Sequence, residues 1–144
     1  MEFSDVIKNR YSCKKFSSEQ IGKDKLDAIL EAGRVAPTAK NLQEQHIYVV
    51  QSESALETID KLTPCRYNAP TVLIVAYNKN NVFTYLGDKR NSGIEDATIV
   101  ATHLMLAAYN EGVDSCWINF FNPDELAKAF NLPEDEEILM LLDL

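Results

Sequence analysis

Cysteine, glycine and proline are scarce in this chain, whereas acidic charge is not: 144 residues hold three cysteines, five glycines and five prolines, against 22 acidic and 14 basic side chains. Cys13, Cys65 and Cys116 leave one thiol unpaired under any pairing, which argues against a disulfide framework and fits a reduced compartment. Neither they nor the two histidines, His46 and His103, show CxxC or HxxxH spacing, so no structural metal site is expected. No GxGxxG follows a predicted strand, which removes a Rossmann turn for a dinucleotide. No run approaches the roughly 20 apolar residues of a membrane span, and the opening MEFSDVIKNR lacks the apolar centre of a secretory signal. A cytoplasmic protein with no membrane partner is expected. Repeats, low-complexity tracts and linkers are also missing, so residues 1–144 are expected to form one domain.

The net charge of −8 disfavours a nucleic-acid partner, because a phosphate backbone would be repelled at long range. The charge is unevenly spread. Residues 1–40 carry eight basic and six acidic side chains, leaving six basic against sixteen acidic for the rest. The apolar fraction of 46% suffices for a core without staples.

Hydrophobic spacing predicts alternating helices and strands. A first helix over Phe3–Asn9 has Ser4 as its cap and turns Val6 and Ile7 inward. In the second, Leu26, Ile29, Leu30 and Gly33 recur at three- and four-residue intervals, and Pro37 ends it. The β-branched run Ile47–Val50 predicts a strand. Ser54 and Glu57 have capping-box spacing at the start of a third helix. The run Thr71–Tyr77, apolar on both faces, predicts an interior strand. Residues 78–91 form a polar excursion, after which Ser92 and Glu95 make a second capping box. They open a helix over Ile94–Asn110 that is apolar on more than one face and is ended by Gly112. A strand over Asp114–Phe121 follows, then a short helix with Asn122, Pro123 and Glu125 at its N-cap, N1 and N3 positions. The last strand, Glu137–Leu144, breaks off with no turn or cap after it, and residues beyond Leu144 are expected. These elements predict an α+β or α/β fold.

Three segments carry chemistry. The basic stretch Arg10-Tyr11-Ser12-Cys13-Lys14-Lys15-Phe16, if extended, projects Arg10, Ser12 and Lys14 to one side, where they could make charge-assisted hydrogen bonds to a phosphate. It resembles the Arg-x-Ser-x-Arg/Lys-x-Phe opening of the nitroreductase family. Ala36-Pro37-Thr38-Ala39-Lys40-Asn41-Leu42-Gln43 is similar to that family's loop after its second helix, whose Asn and Gln reach the flavin across the dimer interface. The family continues Gln-Pro-Trp where this chain has Gln43-Glu44-Gln45-His46. The helix from Glu95 to Ala108, followed by Gly112-Val113-Asp114-Ser115-Cys116-Trp117-Ile118-Asn119, resembles the family's central helix and its Gly-x-x-Ser/Thr-x-Trp-Ile strand.

The resemblance spans nearly the whole chain. It implies an α+β fold with a mainly antiparallel sheet of four or five strands flanked by helices, a homodimer, and one FMN per subunit at the interface. It implies FMN contacts from Arg10, Tyr11, Ser12, Lys14, Pro37, Thr38, Asn41, Gln43, Trp117, Ile118 and Asn119, with the N–H near Asn119 addressing flavin N5. A C-terminal extension that supplies a further phosphate-binding Arg or Lys is expected to follow. The implied activity is hydride transfer from NAD(P)H through the flavin to a nitroaromatic, quinone or other electron-poor acceptor by a ping-pong cycle, with no catalytic side chain. Another reductase chemistry on the same fold, such as enone reduction or flavin fragmentation, and a non-enzymatic flavin-binding or scaffold protein remain open alternatives.

Overall fold

The segment that alternates least sets the architecture. Val72 to Tyr77 are all buried, so the strand they form must be covered on both faces and paired on both edges. The computed structural model describes residues 1–144 and meets that demand with four strands in the order β1-β2-β4-β3. The strands are β1 (Gln45–Val50), β2 (Val72–Asn78), β3 (Cys116–Ile118) and β4 (Glu136–Asp143), and every pairing is antiparallel. The helices are α1 (Phe3–Asn9), α2 (Lys23–Arg34), α3 (Glu53–Leu62), α4 (Gly93–Asn110) and α5 (Pro123–Ala129), with one 3-10 turn at Ala39–Asn41. The α+β alternative is the one adopted, and no helix is long and apolar enough to cross a membrane.

Alternation along β2 and β4 divides the core into two. Leu73, Val75, Met140 and Leu142 face α2 and α4, where they meet Ile29, Val100, Ala101, Leu104 and Ala108. Ile74, Ala76, Ile138 and Leu141 face α3 and α5, where they meet Ile59 and Leu126. Gly33 lets α2 lie close to α4: a Cβ there would come within 2.7 Å of Leu104 Cδ2. Past the end of α4, Gly112 takes φ +74°, and Val113 closes the turn by donating its N–H to the Ala108 carbonyl at 2.9 Å.

Three predicted helix starts are corrected. α1 is preceded by Glu2 rather than Ser4, and no side chain caps it. α3 begins two residues earlier than expected, with Ser52 Oγ accepting the Ala55 N–H at 3.3 Å, because Ser52 is the residue in extended geometry where the chain leaves β1. Ser92 does precede α4 but forms no capping box. Its backbone is in the αR region, and its hydroxyl accepts the Phe83 N–H at 3.0 Å, which ties the helix start to the 79–91 excursion. Glu95 likewise turns to the excursion, accepting the Tyr85 hydroxyl at 2.5 Å. The β3 strand is only three residues long, because the chain leaves the sheet at Asn119 and Phe120, which are exposed, while β4 continues on to Glu136. Asn122 caps α5 as expected, accepting from Asp124 and Glu125.

Candidate functional site

α1 ends at Asn9 because Arg10 turns to extended geometry (φ −60°, ψ 144°), and the basic segment then runs alongside the start of β3. Ser12 and Ser115 form a parallel bridge, and the Cys13 N–H donates to the Ser115 carbonyl at 2.9 Å. The Tyr11 hydroxyl donates to Asp114 Oδ2 at 2.8 Å, and that bond pushes the phenol up to about 12. Tyr11 therefore fastens the segment to the residue just ahead of the strand. Cys13 is buried, while Ser12 and Lys14 are exposed, as extended alternation requires.

The charge in this segment is left unanswered. The ion pairs of the chain are Lys23–Asp27, Arg34–Glu31, His46–Glu136 and Arg66–Asp60, so neither Arg10 nor Lys14 has a carboxylate partner. Arg10 Nε is shut away from solvent and bonded to nothing in the chain. A buried guanidinium nitrogen without a partner is costly, and an anion is what would satisfy it.

Trp117 packs against the α2/α4 side of the core, and its Nε1–H donates to Asn119 Oδ1 at 2.8 Å. The Ile118 side chain is buried on the opposite face, so only its backbone is available to a ligand. The Asn119 N–H has no acceptor within the chain.

The loop after α2 has an unusual backbone. Lys40, Asn41 and Gln43 all have positive φ, between 51° and 54°, which is strained for a lysine or glutamine. It is braced from within: Thr38 Oγ1 accepts the Gln43 N–H at 3.0 Å, and Asn41 Oδ1 accepts the Gln43 side-chain amide at 2.9 Å. Asn41 and Gln43 are exposed, as is Pro37. Where the chain departs from the family pattern, Glu44 and Gln45 turn inward while His46 stays exposed. Glu44 is buried, Gln45 donates to the Gly33 carbonyl at 3.4 Å, and His46 pairs with the buried Glu136, which also accepts from Tyr48.

The strand register separates these groups. Ser115 leads into Cys116, which lies opposite Asp143, itself opposite Val72; Gln45, which follows the loop, lies opposite Tyr77. The basic segment and the 37–43 loop thus sit towards opposite ends of β2, about 17 Å apart along the strand at about 3.3 Å per residue. One chain joins Arg10, Ser12 and Lys14 to the Trp117 strand but holds Asn41 and Gln43 away from them.

Sequence reasoning gave no role to Asp96. It is buried in the first turn of α4, and its Oδ1 accepts the Ala39 N–H at 2.9 Å, anchoring the strained loop. An aspartate inside an otherwise apolar helix was the available signal.

Known proteins match this arrangement along its length. The nitroreductase family model matches residues 7–65 and 64–144. A nitroreductase family protein of Clostridium difficile 630 superposes with a TM-score of 0.95 at 34% identity, over 99% of this chain and 83% of that one. One from Clostridium novyi NT gives 0.88 at 28% identity, over 99% and 83%. An FMN-dependent nitroreductase of Clostridium difficile R20291 gives 0.84 at 25% identity, over 97% and 84%. YodC of Bacillus subtilis, provisionally named an NAD(P)H nitroreductase, is 28% identical over 178 residues, 97% of this chain and 87% of its own length. The chain belongs to the nitroreductase family.

Proposed function

We propose that the chain is an FMN-dependent oxidoreductase that uses NAD(P)H to reduce nitroaromatic, quinone or related electron-poor acceptors, and that it works as a homodimer. The observation that carries this reading is the junction between the unpaired basic segment and the Trp117 strand, made by the Cys13–Ser115 hydrogen bond of 2.9 Å. There Arg10, whose buried Nε has no partner, would hold the phosphate together with Ser12 and Lys14. Trp117 would border the ring, with the unbonded Asn119 N–H offered to it. FMN held there by Arg10, Ser12 and Lys14 would supply the hydride-transfer chemistry between NAD(P)H and the acceptor that a ping-pong cycle requires. The protein's task is to bind, orient and exclude water, so no side chain need act as acid or base.

Asn41 and Gln43 have amide groups suited to the mixed donor and acceptor edge of a flavin, but they lie at the far end of the sheet from their own Arg10. A second copy would bring its loop to this end. A face of α1 and α4 with exposed Phe3, Ile7 and Ile99 gives such a copy an apolar contact.

The test is reconstitution. Protein incubated with excess FMN and passed through gel filtration should emerge yellow and oxidise NADH or NADPH when a quinone is added. A colourless protein overturns the reading, and a yellow protein with no turnover leaves a flavin-binding protein in place of a reductase.

A further inference from the structure

Glu44 and Asp96 lie beneath the 38–44 loop, one at the end of the loop and the other in the first turn of α4, and are only 2% and 3% exposed. Both oxygens of Glu44 and Oδ2 of Asp96 are closed to solvent and have no donor. Asp96 Oδ1 holds the Ala39 N–H at the start of this loop and Glu44 closes its end, so the loop draws the two carboxyl groups together, and Asp96 is a group that acts on the Glu44 carboxyl. Two ionised carboxylates buried side by side would repel strongly and leave three acceptors unsatisfied. One proton between them removes the repulsion and supplies the missing donor.

We infer that Glu44 is a positioning residue: it carries a proton, donates it to Asp96 Oδ2, and so latches the loop that presents Asn41 and Gln43. The inference rests on the proposed flavin contacts of that loop for its functional meaning, though not for its geometry. The other oxygen of Asp96 already accepts the Ala39 N–H at 2.9 Å, and the Glu44 carbonyl accepts the Asn78 N–H at 2.9 Å. The carboxyl pair therefore joins the loop to α4, while the backbone joins it to β2. The strained geometry at Lys40, Asn41 and Gln43 needs such an anchor.

The surrounding charges are committed elsewhere. On the loop, Lys40 is exposed; on α4, Glu95 accepts from Tyr85 of the excursion. On β2, the Tyr77 hydroxyl donates to Glu137 of β4 and the Asn78 side-chain amide to Asp135 Oδ2, while Lys79, just past the strand, gives its backbone N–H to the Asp135 carbonyl. Asp96 is the charged neighbour that acts on Glu44.

Burial first, and the hydrogen bond to Asp96 second, push the Glu44 carboxyl from 4.5 up to about 7. A docked value above the undocked one fixes the sign. The latch is fully closed in acid, weakens as pH rises past 4.5, where the undocked carboxyl ionises, and is weakest above 7, where the docked one has ionised too.

Hydrogen exchange at the Ala39 and Gln43 amides reads the latch directly in flavin-free protein. Between pH 5.5 and pH 8 their protection factors, corrected for intrinsic exchange, should fall on the order of tenfold or more in the unsubstituted chain. They should stay level in Glu44→Gln, whose amide donates at every pH. Flat protection in the unsubstituted chain, or an equal fall in E44Q, overturns the inference. So does protection restored at pH 8 by magnesium or calcium, which would give the pair to a cation. If E44Q does not fold, carbon-13 titration of the Glu44 carboxyl decides: a midpoint near neutrality supports the latch, and one near 4.5 overturns it. FMN fluorescence titration on the same samples tests the coupling. Affinity should weaken with pH more in the unsubstituted chain than in E44Q, and equal weakening overturns the positioning role. If neither sample binds FMN, the flavin reading fails while exchange still decides the latch.

Discussion

Cys13 donates its amide hydrogen to the carbonyl of Ser115 at 2.9 Å, and this single bond ties residues 102 positions apart into one surface. With Tyr11 held by Asp114 at 2.8 Å, the basic segment cannot drift from the strand that carries Trp117. The segment proposed to hold a phosphate and the strand proposed to border a ring are thereby held side by side before any ligand arrives, which would lower the entropic cost of binding.

Replacing both Arg10 and Lys14 by Glu should weaken FMN binding at least about 100-fold, since two charge-assisted contacts become two repulsions. Fluorescence quenching titration measures it. Unchanged affinity would mean that the phosphate sits elsewhere.

The separation of the two half-sites predicts that dimerisation and flavin binding fail together. Ile99→Asp, on the exposed α1/α4 face, should give a monomer by light scattering at micromolar concentration and a parallel loss of FMN affinity. A monomeric variant that binds FMN as tightly as the parent would place the whole site within one chain.

Gly93→Ala should cost about 1–3 kcal/mol in urea unfolding. Its Cβ would stand 2.5 Å from Tyr77 Cε2, part of a buried ring held in place by its hydroxyl bond to Glu137. Gly22→Ala, with nothing within 4 Å, should cost less, about 0.5–1 kcal/mol from the poorer N-cap of α2 alone. Equal effects at the two positions would contradict the close approach of Tyr77 to the start of α4.

Asp143 is fully buried with neither oxygen bonded, and burial pushes its carboxyl up to about 8 despite the opposing pull of Arg66. In the unfolded chain it ionises near 3.8. Stability from this group is therefore complete in acid and drains away as pH rises from about 4 to about 8. Asp143→Asn should flatten that slope, raising the unfolding midpoint at pH 8 and not at pH 4. A midpoint at pH 8 that is unchanged or lower would show that the carboxylate has a partner in solution.

Much of the fold could be read from local pattern. Val72–Tyr77 declared itself an interior strand because it has no polar face, and α4 declared itself a hub because small apolar residues cover more than one side of it. Gly112 marked its end because a left-handed residue is needed there. Caps were read less well. Ser54 and Ser92 had the right neighbours, but a hydroxyl bonds whatever N–H the fold brings closest, and for Ser92 that was Phe83, nine residues away.

The sequence by itself determined the alternating elements, the basic segment with Arg10, Ser12 and Lys14 on one side, and the exposed amides of Asn41 and Gln43, because each depends on neighbours within a few residues. Tertiary structure alone decided that the basic segment lies against Ser115, that the loop sits at the opposite end of the sheet, and that Glu44 and Asp96 share a buried space. Those facts depend on strand order and register, which bring distant residues together by burying apolar faces, and no local spacing encodes which polar groups will be enclosed with them.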